Sequence, residues 1–210
     1  MSENPSKLKE VVDLIRSGEG HAFNAMRRLL GDQMPSLHGQ TFNNIQMVGF
    51  DLSELDLSNT EWEASLFNQV RFDGSSLEGA YIKSSSLIAC SLIGVEMDDV
   101  ALDGCIIKRT ALHQCSIEGA EVSDTQWSDC ALSELDLSGS EWSSVVFNAG
   151  QISHIKGDGT LSGWTLREVA LNSFETGDME VDHCTIAPHP EQPDVIPEGF
   201  TRLTGRRRRL

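Results

Sequence analysis

Two cysteines, a histidine and two basic residues fall within the stretch "DGCIIKRTALHQCSIEGA", residues 103–120. Cys105, His113 and Cys115 are residue types that hold zinc when three or four of them converge, and paired thiols can also do redox work. A second set, His183, Cys184 and His189, lies in "DHCTIAPH". Either reading depends on which way each side chain points, so the register of the chain decides it.

That register has a period of five. From Leu37, steps of five give Phe42, Met47, Leu52, Leu57, Trp62, Phe67 and so on to Trp142, Phe147 and Ile152, 24 large apolar residues in succession. Neither a 3.6-residue helix nor a two-residue strand period produces such a series. Two positions before each, the residues are mostly small, as at Ser65, Ser85, Cys105, Thr125 and Cys130. All 18 acidic and four basic residues between 37 and 152 avoid both positions. Two positions of each pentad therefore face inward and three face solvent.

This small-x-large pentad, seen in "SELDLS" and "EGAYIKSSSLIACSL", resembles the pentapeptide-repeat family. The resemblance implies an all-β solenoid, a right-handed quadrilateral β-helix with four pentads per coil. About seven to eight coils and a short N-terminal α-helical cap are expected. The stretch "LSELDLSNTEWEASLFN" (52–68) recurs as "LSELDLSGSEWSSVVFN" (132–148), offset by 80 residues. A multiple of 20 returns each residue to its own face four coils on, as an internal duplication in a solenoid would.

The register answers the opening question. Cys105 and Cys115 take the small inward position ten residues apart, on opposite walls, and His113 points outward. All five cysteines, at 90, 105, 115, 130 and 184, are read as small buried hydrophobes. His183 and His189 flank an inward Cys184 with no standard ligand spacing. No phosphate-cradling loop, zinc-binding helix or nucleophile elbow is present in the sequence. The expectation is no enzyme, no metal and no cofactor.

Three segments are expected. Residues 1–34 form the helical cap, with Ser6 capping, an apolar stripe through Leu8, Val11, Val12 and Ile15, a break at Gly18, and a second stripe through Phe23, Met26, Leu29 and Leu30. Residues 35–187 form the β-helix, with a register break at 153–160 ("SHIKGDGT") read as a short protruding loop. Residues 188–210 read as a flexible tail, proline-rich and then basic, whose four-arginine end could touch nucleic acid or an acidic partner.

The 210 residues carry a net charge of −16, which argues against nucleic-acid binding by the body of the protein. The N-terminus has no apolar signal segment and no apolar run is long enough for a membrane span, so a cytoplasmic protein that does not enter membranes is expected.

Sorting outward residues by face separates two readings. The first face, built on Leu37 through Leu137, carries Asp56, Glu78, Glu96, Asp98, Asp99, Glu118 and Asp136 with no basic residue. The second, built on Phe42 through Trp142, carries Glu61, Glu63, Asp103, Glu121, Asp124 and Glu141 against Lys83. The third, built on Met47 through Phe147, carries only Asp129 against Lys108 and Arg109, and it turns Val48, Leu66, Ile88, Ile106 and Val146 outward. One reading is a protein-interaction scaffold docking a partner, or a second copy, on this neutral apolar face. The other is DNA mimicry by the two acidic faces. Six coils span ~29 Å and carry 18 acidic against four basic residues, approaching the ~1.7 Å per charge of duplex DNA. Quinolone-resistance members of the family bind DNA gyrase and topoisomerase IV in this manner, so the resemblance makes a type II topoisomerase the partner under this reading.

Overall fold

The computed structural model describes residues 5–203. Through the shaft each residue pairs in parallel with the one 20 positions on, as in Phe42↔Trp62, Met47↔Phe67 and Leu112↔Leu132. Four pentads thus close one coil, and about eight coils stack. The second and third faces are continuous ladders of short strands. The first face, and the fourth face in the early coils, are mostly tight turns joined by isolated bridges such as Asp56↔Ser76↔Glu96 and Asp51↔Arg71↔Ser91.

The corner between faces has its own signature. Every fourth pentad position from 39 to 154 is left-handed, with φ between 49° and 68°. A β-branched residue is strained there, whereas Gly, Asn and Asp enter readily. Thirteen of these 24 positions are Gly, Asn or Asp, and none is Val, Ile or Thr. The sequence therefore encodes its corners as well as its walls.

Inside, the large residues stack in columns and the small ones carry hydrogen bonds from coil to coil. Ser85 Oγ accepts the Ser65 amide at 3.0 Å, and Ser65 Oγ accepts the Ile45 amide at 3.3 Å. Aromatic rings cluster at both ends of the core. Phe42 stacks on Trp62 at 4.4 Å, while Trp127, Trp142, Phe147 and Trp164 form a second cluster. The threonines beside two tryptophans supply acceptors as well as room: Trp62 Nε1 donates to Thr60 at 2.8 Å and Trp127 Nε1 to Thr125 at 3.0 Å. Trp142 gains no such bond among the described residues, although the Ser140 hydroxyl donates to the Leu137 carbonyl just as Thr60 donates to Leu57.

The register break does not protrude. The strand Val146–Lys156 still pairs 20 residues back, with Lys156 beside Asp136, but Thr160 pairs with Glu141, 19 back. One residue has been removed between 156 and 160, and the chain is drawn tight against Leu137–Ser140. After this short coil the 20-residue pairing resumes, as in Thr165↔Thr185, until the last turn closes in 16 residues at Thr185↔Thr201.

Helices α1 (Pro5–Ser17) and α2 (Gly20–Leu30) cover the first coil. Val11, Val12, Ile15 and Phe23 are buried, and Phe23 packs on Phe50 at 5.1 Å. Two expectations need correction. Ser6 lies inside the first turn of α1, and Leu29 is 84% exposed, pointing away from the coil. The coil's open edge is met by a side chain: Asn24 Nδ2 donates to the Gly49 carbonyl at 2.8 Å, and its Oδ1 accepts the Asp51 amide at 2.9 Å. A carboxamide thus takes the place of a neighbouring strand.

The far end uses the same device. Gln192 accepts the Leu171 amide at 2.9 Å and donates to the Leu171 carbonyl at 3.1 Å. Residues 188–203 therefore cross the C-terminal end as structure, with Phe200 buried and Thr201–Arg202 pairing with Thr185–Ile186. The four-arginine end, Arg206 to Arg209, lies outside the described residues.

A chain of charges fixes the cap to the shaft. Asp51 meets Arg27 at 3.6 Å and Arg71 at 3.8 Å, and Arg71 reaches Asp73 at 3.3 Å. Burial pushes the Asp51 carboxyl up, but the Ser53 hydroxyl and amide, with Arg27 and Arg71, outweigh it and hold the group below its usual 3.8. Its stabilising contribution is complete above the unfolded-chain value of about 3.9 and is lost as pH falls through the lower folded value. Amides of α1 and α2 are therefore expected to exchange hydrogen faster at pH 3 than at pH 5 after correction for intrinsic rates, with Asp51→Asn raising the rate already at pH 5. Unchanged protection in the variant would remove the latch.

Candidate docking faces

The thiols first considered for chemistry are sealed in the walls. Cys105 lies 3.2 Å from the Ile82 carbonyl and Cys115 lies 3.1 Å from that of Leu92, each on its own wall. Burial pushes the Cys105 and Cys90 thiols up to about 11, so both stay protonated and unreactive at neutral pH. His113 instead bonds Ser133 one coil on, at 2.8 Å. His183 pairs with Asp182, Cys184 is buried, and His189 accepts the Glu191 amide. Among the described residues no three His, Cys, Asp or Glu side chains gather as a metal site.

The acidic faces divide into carboxylates held within the fold and carboxylates free of it. On the first face acids alternate with serines along one column, Asp56, Ser76, Glu96, Ser116 and Asp136. Burial raises the Asp56 carboxyl, yet bonds from Ser36 and Ser58 outweigh this and hold it below its usual value. Asp98 accepts the Ser116 hydroxyl and the Glu118 amide. Lys156, 2.8 Å away, and Ser138 hold Asp136 low. On the second face Lys83 pairs with Asp103 at 3.4 Å and Thr41 donates to Glu61. Glu63, Glu78, Glu96, Asp99, Glu118, Glu121, Asp124 and Glu141 remain exposed and outside any ion pair among the described residues. Glu121 and Glu141 lie side by side on adjacent strands, a like-charge contact that works against the sheet.

The third face is paired along its length. Leu66 sits beside Ser86, Ser86 beside Ile106, and Ile106 beside Gln126, which in turn meets Val146. In the other outward column Val48 is followed by Asn68, Ile88 and Lys108. The apolar residues therefore do not form a straight row. Val48, Leu66, Ile88 and Ile106 zig-zag across four successive strands, each ~7–8 Å from the next on the diagonal. Val48 is 54% and Ile106 38% exposed, with Leu66 and Ile88 half-buried between them. Val146 stands apart, beyond Gln126.

The twenty-residue pairing, the four-pentad coil and the two inward positions together decide the architecture. The fold is a pentapeptide-repeat β-solenoid. Neither protein-family models nor curated proteins match the sequence. Among solved structures, QnrB1, a plasmid-mediated fluoroquinolone resistance protein, aligns over 74% of this chain and 87% of its own at 16% identity and a TM-score of 0.38. HetL, a pentapeptide repeat protein involved in heterocyst differentiation regulation from the cyanobacterium Nostoc sp. strain PCC 7120, aligns over 76% and 94% at 13% identity and a TM-score of 0.40. The fold assignment rests on the register and not on these alignments. No helix among the described residues is long and apolar enough to cross a membrane.

Proposed function

We propose that this protein is a non-catalytic scaffold that docks another polypeptide on its third face. The observation that carries this reading is the zig-zag of Val48, Leu66, Ile88 and Ile106 on the face where charge is nearly balanced. Apolar side chains in a regular sheet lose little on desolvation, whereas the carboxylates of the first two faces would have to be stripped of water. In a comparative capture experiment, a partner held by the wild-type protein is expected to be lost, at least tenfold in recovery, with Leu66→Glu/Ile106→Glu. The same partner should stay when Asp56, Glu78, Glu96 and Asp98 are replaced by their amides. Retention in the first variant would refute docking on this face.

A second reading, mimicry of duplex DNA toward a type II topoisomerase, is favoured by the eight exposed carboxylates on the first two faces that no cation pairs with among the described residues. It predicts the opposite pattern in the same experiment. Binding of gyrase or topoisomerase IV subunits would survive the glutamates on the third face, fall with the amide set, and weaken steeply with salt.

A further inference from the structure

We propose that the occupant of the third face is a second copy of this chain, packed face to face in an antiparallel, two-fold arrangement centred on Ile88. The inference rests on the third face being the docking surface and names its partner.

Electrostatics select the face. Two copies at net −16 repel, and the two acidic faces cannot meet their own kind without bringing unpaired carboxylates together. Between residues 37 and 152 the third face carries one acidic and two basic residues, so like faces approach there at the least cost.

Register selects the arrangement. A two-fold axis lying in the interface runs either along the solenoid or along the strands. With the axis along the solenoid, each coil meets its own copy with its two outward columns exchanged. Leu66 would then face Asn68, Ile88 would face Ser86, and Ile106 would face Lys108, so every apolar side chain covers a polar one. With the axis along the strands and through Ile88, the columns are kept and the coils reverse. Leu66 and Ile106 stand two strands apart, one on either side of the Ile88 strand. Reversal therefore sets Leu66 on the second copy's Ile106, Ile88 on Ile88, and Ile106 on Leu66. Lys108 faces Asn68, and no like charges meet. The three contacts lie close to the axis, where the usual crossing angle of packed sheets displaces them least.

Size sets the strength. Reversal about the Ile88 strand, the third on this face, overlaps the first five coils, which at ~4.8 Å each and ~16 Å per pentad side offer roughly 400 Å² per copy. A standard interface uses about 800 Å² per partner. The pair is therefore reversible and depends on concentration.

Sedimentation equilibrium of the full chain is expected to show a mass rising with concentration from 23.0 kDa toward twice that value, and Ile88→Glu to hold it at the monomer. The second measurement is chemical cross-linking of introduced thiols. The five native thiols are buried and do not compete. Ile88→Cys should be joined to itself by a short bis-maleimide, whose span suits the ~10 Å between packed sheets. Leu66→Cys and Ile106→Cys chains should be joined when mixed and far less when alone, while Glu78→Cys on the first face stays monomeric. Equal cross-linking at Glu78→Cys, or self-joining of Leu66→Cys above the mixture, would overturn the arrangement, as would a monomer mass at every concentration. If these fail while Leu66→Glu/Ile106→Glu still releases a different protein, the second copy is wrong and the docking face stands. If both fail, the face itself is not used.

Discussion

Trp127→Ala is expected to cost about 3–5 kcal/mol, near the upper end for a large-to-small change in a core. The Trp127 side chain is 1% exposed and packs on Trp142 at 6.1 Å and Phe147 at 5.6 Å. Its removal opens a void across two coils and leaves the Thr125 hydroxyl without the indole it accepts from. Walls of a β-solenoid relax poorly into such a void, because each strand is held on both sides by its neighbours. Contacts run only to adjacent coils, so the damage should stay local and split the unfolding transition. Urea unfolding followed by far-ultraviolet circular dichroism should show an early phase from the coils around residues 122–186 and a later one near the wild-type midpoint. A single transition at the wild-type position would mean that this aromatic cluster adds little.

The two inward positions of the pentad were legible because they are set by burial alone, and the period of five has no competitor among regular structures. The same logic placed the cysteines in the walls and each outward residue on its face. What stayed hidden depends on contacts that the period does not encode. Asn24 and Gln192 look like ordinary polar residues in the chain, yet each seals an open sheet edge across 25 and 21 positions. Leu29 fits a helical stripe, but the coil beneath α2 is already covered by Phe23 and Met26. On the candidate faces, column membership was readable while side-chain pairing was not. Asp98 and Asp56 read as display charges, yet both are drawn into turns by serines one coil away. The zig-zag likewise needs the third face as a two-dimensional lattice, because the linear sequence separates Leu66 from Ile88 by 22 residues. The corners carry a signal of their own: Gly, Asn or Asp at thirteen of the 24 positions, with no Val, Ile or Thr at any of them.

Gly157→Ala is expected to destabilise the C-terminal coils by about 2–4 kcal/mol, since a non-glycine residue must adopt a strained backbone and collide with its neighbour. Gly157 has φ +135°, and a Cβ there would lie 2.6 Å from the Ser138 amide nitrogen and 2.7 Å from the Leu137 carbonyl carbon. Both are backbone atoms of the preceding coil, so no side chain can swing aside. The position is also where the chain drops from a 20-residue to a 19-residue coil, which removes the slack that an ordinary corner would offer. The strain has one natural outlet, restoration of the missing residue. Insertion of a single glycine between Gly157 and Asp158 in the alanine variant should recover a good part of the loss by returning the coil to 20 residues. An insertion that worsens the alanine variant would show instead that the short coil is required by the later pairing Leu161↔Val181 and by Trp164, which fills a position that is mostly small in the shaft. Thermal unfolding of the three proteins separates the outcomes: strain from the short coil gives a low midpoint for Gly157→Ala and an intermediate one for the insertion. If all three midpoints agree, the tight approach at Leu137–Ser138 costs the fold nothing.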